Sequence, residues 1–459
     1  MDDHVTRLRR RTVLGSVAAV AVGSTGLVST SARAARGDWP TFGADPANTG
    51  HASDAVGPNA APTRGWQFGA NAAVETAPAV VGTRSDGAQS GTVVVGSDDT
   101  NVYALSAADG NQQWRASTNG AVVAAPIVID ELVVVGSTDG NVYGLARADG
   151  TEQWVVSMDD AVRAPPAVAP DGDVVYVADT DGTVRALHAT DGTERWRQSV
   201  PAGVFTAPAV TESAVYVATA TGTLFKLAAS DGSQRWQTTV DAAVEGAPTV
   251  AEETVYVGGA DGTVVAIAAG DGTERWQVTT DAPIDGSPAV ADGTVVVGTV
   301  AGTVYGLTVD GDSRWTADAG GAVRTAPAVA NGLVYVGTDQ NRVLALSLSD
   351  GAEQWRFETG GAVRGDPAVA GGAVHVGTAA GGVTAITGET PQLSTATATE
   401  TPTAADTADS SDTDGSRSTE TQPTDATSPT PGSSGPGFGI LAGLTALLGS
   451  AGLLAREDD

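Results

Sequence analysis

The pattern D-G-x-x-x-W occurs seven times, beginning at Asp109, Asp149, Asp191, Asp231, Asp271, Asp310 and Asp350, with successive spacings of 40, 42, 40, 40, 39 and 40 residues. A period this regular dictates a repeat architecture, in which one supersecondary unit stacks on copies of itself. A unit of about 40 residues cannot bury its own faces, so each copy must be covered by its neighbours.

Within one period the sequence reads as four short strands. Residues 204–210 (VFTAPAV), 214–219 (AVYVAT), 223–229 (TLFKLAA) and 234–240 (QRWQTTV) are rich in Val, Tyr, Thr and Phe, which suit a pleated, half-buried surface. The middle strands are continuously apolar, like LVVVG and TVVVG in other copies, which predicts cover on both faces. Asp-Gly between the third and fourth strands is a hairpin signal, because glycine takes the positive φ of a tight turn. The tryptophan that follows opens the outer strand and is placed to cover the next sheet. Trp114, Trp154, Trp196, Trp236, Trp276, Trp315 and Trp355 are therefore expected to be packing residues, and the hexapeptide a structural device without catalytic duty.

Four-stranded antiparallel units in series describe a β-propeller. The first-strand prolines, Pro78, Pro126, Pro166, Pro208, Pro248, Pro288, Pro327 and Pro367, count eight blades. The eighth unit, 360–388, has no D-G-x-x-x-W after it, whereas Trp66 stands near the start with no Asp-Gly before it. One reading uses both facts: the Trp66 segment supplies the outer strand of the last blade and joins the two ends of the chain. The expected fold is all-β, an eight-bladed β-propeller over residues 66–388 preceded by a lead-in segment at 35–65.

The flanks read as addresses. Arg7, Arg9, Arg10 and Arg11 precede a mildly apolar run at 13–28 and the small-residue pattern ending at Ala34, the layout of a cleaved signal peptide over 1–34. Arg10 and Arg11 begin RRTVL, which resembles the twin-arginine (Tat) export signal. Residues 389–435 are rich in Thr, Ser, Ala, Asp and Pro and hold no aromatic side chain, predicting a disordered stalk. Residues 439–455 are an apolar run at the lower limit for a helix that spans a bilayer. Pro436, Gly437 and Phe438, directly before that run, resemble the archaeal PGF-CTERM sorting signal, here 436–459. The resemblance implies removal of the helix by an archaeosortase and a lipid anchor; a retained membrane anchor is the alternative. Both place the chain, once exported, at the outer face of the cytoplasmic membrane, on the cell surface.

Asp and Glu number 54 against 24 Lys and Arg, a formal net charge of −30. Such a surface repels phosphate backbones and excludes nucleic acid as a partner. At about 1 M salt the Debye length falls to ~3 Å and the self-repulsion is screened, so the composition fits a halophilic organism. The absence of cysteine excludes disulfides, zinc–thiolate sites and a cysteine nucleophile.

The stretch VYVGTDQNRVLALSLSDGAEQWRF, residues 334–357, resembles the PQQ repeat, and DWPTFGADPANTGH, residues 38–51, resembles the lead-in of such proteins. The resemblance recurs in nearly every blade. It implies either a quinoprotein dehydrogenase, with pyrroloquinoline quinone (PQQ) and Ca²⁺ over the propeller axis, or a noncatalytic scaffold. The dehydrogenases typically carry a vicinal Cys–Cys disulfide and long insertions, and neither is present in this sequence.

Catalytic signatures are missing: there is no H-E-x-x-H, G-x-S-x-G, phosphate loop or EF-hand pattern. His188 and His375 stand in blade strands where other copies hold Tyr, Val or Ala. One column varies in an informative way. Ahead of each first-strand proline stand, in blade order, Glu75, Val123, Arg163, Phe205, Glu245, Asp285, Arg324 and Arg364. First strands line a propeller's axis, so these residues should ring one mouth of the channel. They are either mutually compensating channel charges or a recognition surface for a peptide or a small anionic or zwitterionic ligand, for which arginine's fork is suited. The leading expectation is a monomeric, noncatalytic, surface-anchored propeller that binds or scaffolds a protein, peptide or small molecule at its axis and needs no cofactor. A PQQ-dependent oxidoreductase is the alternative, and a purely structural envelope component a third.

Overall fold

The computed structural model describes residues 38–82 and 91–389. The signal peptide at 1–34, the stalk beyond residue 389 and the sorting signal at 436–459, with Arg10, Arg11, Ala34, Pro436, Gly437 and Phe438, lie outside the described residues. The described chain forms eight four-stranded antiparallel sheets. In the fourth blade the strands are Ala209–Val210, Ala214–Ala218, Thr223–Ala228 and Gln234–Thr239, paired in sequence order. All five residues of the second strand are buried, whereas the fourth strand alternates exposed and half-buried residues. The second strand lies inside the ring with a blade on each side, and the fourth forms the rim.

Two local expectations change. Of residues 204–210 only Ala209 and Val210 pair with the second strand. Pro208 has no N–H for a ladder, and Phe205, Thr206 and Ala207 line the axis instead. The third strand also ends one residue earlier than expected, at Ala228, so that its link to the fourth spans 229–233. Asp231 Oδ1 holds it by accepting bonds from the Ser233 N–H (2.9 Å) and hydroxyl (2.6 Å).

The tryptophans join blade to blade. Each indole N–H donates to a backbone carbonyl of the following blade: Trp114 to Arg147 at 2.7 Å, Trp154 to Ala189 at 3.0 Å, Trp196 to Ala229 at 2.9 Å and Trp236 to Ala269 at 3.1 Å. Trp276 and Trp315 repeat the bond to Val309 and Leu348 at 2.8 and 2.9 Å. The same ring lies against the Asp-Gly turn of the following blade. A Cβ on Gly232, whose φ is +70°, would stand 2.5 Å from the Trp196 ring. Glycine is thus required there twice over, for its backbone conformation and for the indole beside it.

The eighth blade closes the ring with both ends of the described chain. Its outer strand is Ala60–Gly69, paired antiparallel with Gly382–Glu389, and it carries Trp66. Trp66 donates to Ala107 of the first blade at 2.8 Å, as the indoles of blades one to six do to the blades that follow them. The seventh blade faces a blade with no Asp-Gly turn, and the lead-in replaces it: Trp355 Nε1 and the Tyr335 hydroxyl both donate to the Pro58 carbonyl, at 2.8 and 3.2 Å.

His375 lies at this seam. It occupies the place of Tyr176, Tyr216, Tyr256 and Tyr335 in other blades, with its ring 5.7 Å from that of Trp66. It is buried and neither ring nitrogen makes a hydrogen bond of normal geometry. Burial pushes its pKa down from 6.5 to about 4, the backbone of Ala368 opposing the shift. His188, by contrast, is exposed at the end of a third strand.

Trp196→Ala should cost about 3–5 kcal/mol, the range for truncating a buried Trp, and Gly232→Val should also destabilise. The double variant should lose less than the two single losses added, because each change disturbs one shared contact; strict additivity of the melting data would dissolve the contact. For His375, the folded ring refuses a proton that the unfolded chain accepts. As pH falls from 6.5 toward 4, the fold should lose up to about 3 kcal/mol through this residue. His375→Tyr should remove that part of the acid sensitivity, and equal acid sensitivity of the two proteins in denaturant titrations would refute the assignment.

Candidate functional site

Each inner strand enters the ring with a residue at the axial mouth, three positions before its proline. Glu75, Val123, Arg163, Phe205, Glu245, Asp285 and Arg324 line one cavity of about 190 Å³. Arg364, the eighth member of the column, is not among its lining residues; its Nε lies 2.9 Å from Asp339 Oδ1. Phe205 is 46 % exposed, a large apolar side chain held in water at the rim.

The charges of this rim divide into two arcs. On the blades numbered six to eight they neutralise one another. Arg324 pairs with Asp285 through Nη1 and with Asp339 through Nε at 3.0 Å, and Arg364 shares Asp339. Bonds to both carboxylates hold the Arg324 guanidinium above its ordinary pKa. On the blades numbered one to five the side chains alternate Glu75, Val123, Arg163, Phe205 and Glu245. The three charged members are exposed and make no ion pair or side-chain hydrogen bond within the described chain. Two of the three arginines that sequence reading offers for ligand carboxylates are therefore committed to the protein's own aspartates, and Arg163 is free.

The far end of the channel is filled by the lead-in. Val80, Val128, Val210, Val250, Val290 and Val329, each two residues beyond the first-strand proline, donate backbone N–H groups to the carbonyls of Trp39, Pro40, Pro46, Ala47, Thr49 and Gly50. The segment winds past the inner edges of six blades as a cord, and Phe42 on it reaches the cavity lined by the rim. Asn48, buried with its amide bonded to the carbonyls of Ala207, Pro208 and Pro248, fastens the cord at its centre. Gly50 has φ +65°, and a Cβ there would meet Ala289 at 2.8 Å. Asp45 braces the turn through the N–H groups of Ala47 and Thr49; burial pushes its carboxyl up in spite of those bonds.

Three residues of this site escape a reading of the entry column alone. Asp339 belongs to a turn and meets the mouth only through the fold. Phe42 belongs to a segment without strand periodicity. Asp366, directly before Pro367, lies in a neighbouring column that holds alanine in five blades, Pro165 and Ser287 in two others, and a carboxylate only here. That asymmetry was legible as the one charged residue in a column of small ones.

The family described as outer membrane protein assembly factor BamB matches residues 56–207, 181–284 and 260–417. No curated protein matches the sequence. Among solved structures the chain is similar to BamB from Moraxella catarrhalis, with a TM-score of 0.60 and 20 % identity over 72 % of this chain and 98 % of that one. It is similar to the computationally designed protein Ika8, with a TM-score of 0.62 and 18 % identity over 70 % and 98 % of the two chains. It is also similar to quinohemoprotein alcohol dehydrogenase from Comamonas testosteroni, with a TM-score of 0.64 and 14 % identity over 78 % and 82 %. At these identities the likeness establishes the fold alone.

Proposed function

Since the chain belongs to the PQQ-repeat β-propeller family described as outer membrane protein assembly factor BamB, we propose that it is a noncatalytic binding or scaffold module whose ligand or partner docks at the axial mouth. One observation carries this reading: half of the rim is neutralised by the protein itself, and the other half presents free charges and an exposed phenyl ring around a cavity closed at its far end. Free groups of both signs beside apolar surface suit recognition of a peptide, a protein segment or a small polar molecule. The description of the family as an assembly factor agrees with such a role. The export and sorting motifs at the two ends support action at the cell surface, with the C-terminal anchor as the link to the membrane.

The runner-up, a PQQ-dependent oxidoreductase, fits the residues poorly. The cavity, about 190 Å³, is below the roughly 300–1,000 Å³ of ordinary cofactor sites. Among the described residues no group of three or more His, Cys, Asp and Glu is placed to hold a metal ion. The aromatic side chains that reach the cavity are Phe42 and Phe205, and one of the acids, Asp285, is already bound to Arg324.

Titrating the purified protein with PQQ and Ca²⁺ in high salt tests the choice. The proposal expects no stoichiometric binding and no dye-linked oxidation of alcohols or sugars. Tight one-to-one uptake with turnover would replace it by the oxidoreductase.

A further inference from the structure

We propose that the axial cavity binds a small organic ammonium ion, seated on the carboxylate of Asp366. The inference rests on the binding role proposed above and names the ligand chemistry of that same site.

Ser287 occupies the equivalent place in the sixth blade, and its Oγ accepts the N–H of Ala247 at 2.7 Å. Asp366 Oδ1 accepts the N–H of Ala326 at 2.8 Å in the same manner. A neutral hydroxyl therefore meets the structural demand, and most blades meet it with alanine. The second oxygen of Asp366 accepts no hydrogen bond from a described residue, and the side chain lines the cavity. Among the described residues no cation is paired with it: Arg324 and Arg364 are held by Asp285 and Asp339, and Arg163 makes no ion pair. It stands two residues after Arg364 of the entry column, past the bend at Gly365.

An uncompensated carboxylate inside a protein is costly unless a cation meets it. Surrounding protein pushes Asp366 up to about 7, against the bond from Ala326. The other charged groups facing the cavity are Glu75, Arg163, Glu245, Asp285 and Arg324, with Arg364 two residues before Asp366 in the chain. With Arg324 neutralised, acids outnumber free cations, so the field at the mouth draws cations in. Phe42 and Phe205 supply apolar wall for an alkyl portion and a ring face for the ammonium. Among the described residues an anion would find Arg163 alone uncommitted, in a cavity that also carries Glu75, Glu245 and Asp366.

The probes are n-butylammonium, n-butanol and butyrate, alike in length and different in charge, titrated calorimetrically at the lowest KCl concentration that keeps the ring folded. Only butylammonium should bind, more tightly as pH rises through about 7, with proton release below that pH. Asp366→Asn should weaken it at least tenfold. Asp366→Ser, which keeps the bond to Ala326 as Ser287 does for Ala247, should melt like the parent and lose binding to the same degree. Undiminished binding in Asp366→Ser, equal binding of butyrate, or no binding of any probe would overturn the inference. None of those results bears on the noncatalytic reading, which fails only if PQQ with Ca²⁺ is bound and turned over.

Discussion

The contact on which the rest depends is the one between each tryptophan and the blade that follows it. A four-stranded sheet has two apolar faces and an unpaired outer edge, and neither is tolerable alone. The indole answers part of this by covering a glycine turn and donating a directed hydrogen bond to a carbonyl across the gap. The bond length stays within 2.7–3.1 Å at all eight junctions. Because Asp-Gly of one hexapeptide receives the tryptophan of the hexapeptide before it, the repeat is a lock whose two halves sit in successive blades. This is why the six residues travel together along the sequence.

A series of such locks has a first half and a last half with no partner until the ring closes. Closure falls to the lead-in. Pro58 stands in for the missing turn against Trp355, Trp66 engages the first blade, and the cord from Trp39 to Gly50 ties the inner edges together. The same cord makes the channel a pocket with one mouth. Structural closure and the candidate site are therefore products of one segment, and the charged rim is its open counterpart on the other side.

The sequence made the repeating part plain and the unique part obscure, for a physical reason. Blade number, the strand order and the borrowed outer strand at Trp66 follow from periodicity, because identical units must solve the same packing problem identically. The entry column was also legible, since Glu75 to Arg324 occupy equivalent places and so line one cavity. What periodicity hides is how unlike residues meet. Asp339 pairs with Arg324 and Arg364 across two blades, and no spacing rule predicts a turn residue reaching the axis. Asn48 gathers carbonyls about 160 and 200 residues away. The short inner strand was misjudged because 204–210 looks extended and apolar, while Pro208 withholds the N–H that pairing requires.

Eight units become one structure only when the N-terminal segment closes the ring. The direct measurement compares thermal unfolding, followed by tryptophan fluorescence and circular dichroism, of the exported chain with that of a chain starting after Gly69. The account predicts that the shortened chain, lacking the cord, Pro58 and the outer strand of the last blade, shows no cooperative transition at salt concentrations where the full chain melts sharply. A sharp transition within a few degrees of the full chain's would show that the other six junctions suffice and that closure by the N-terminus is not what holds the propeller together.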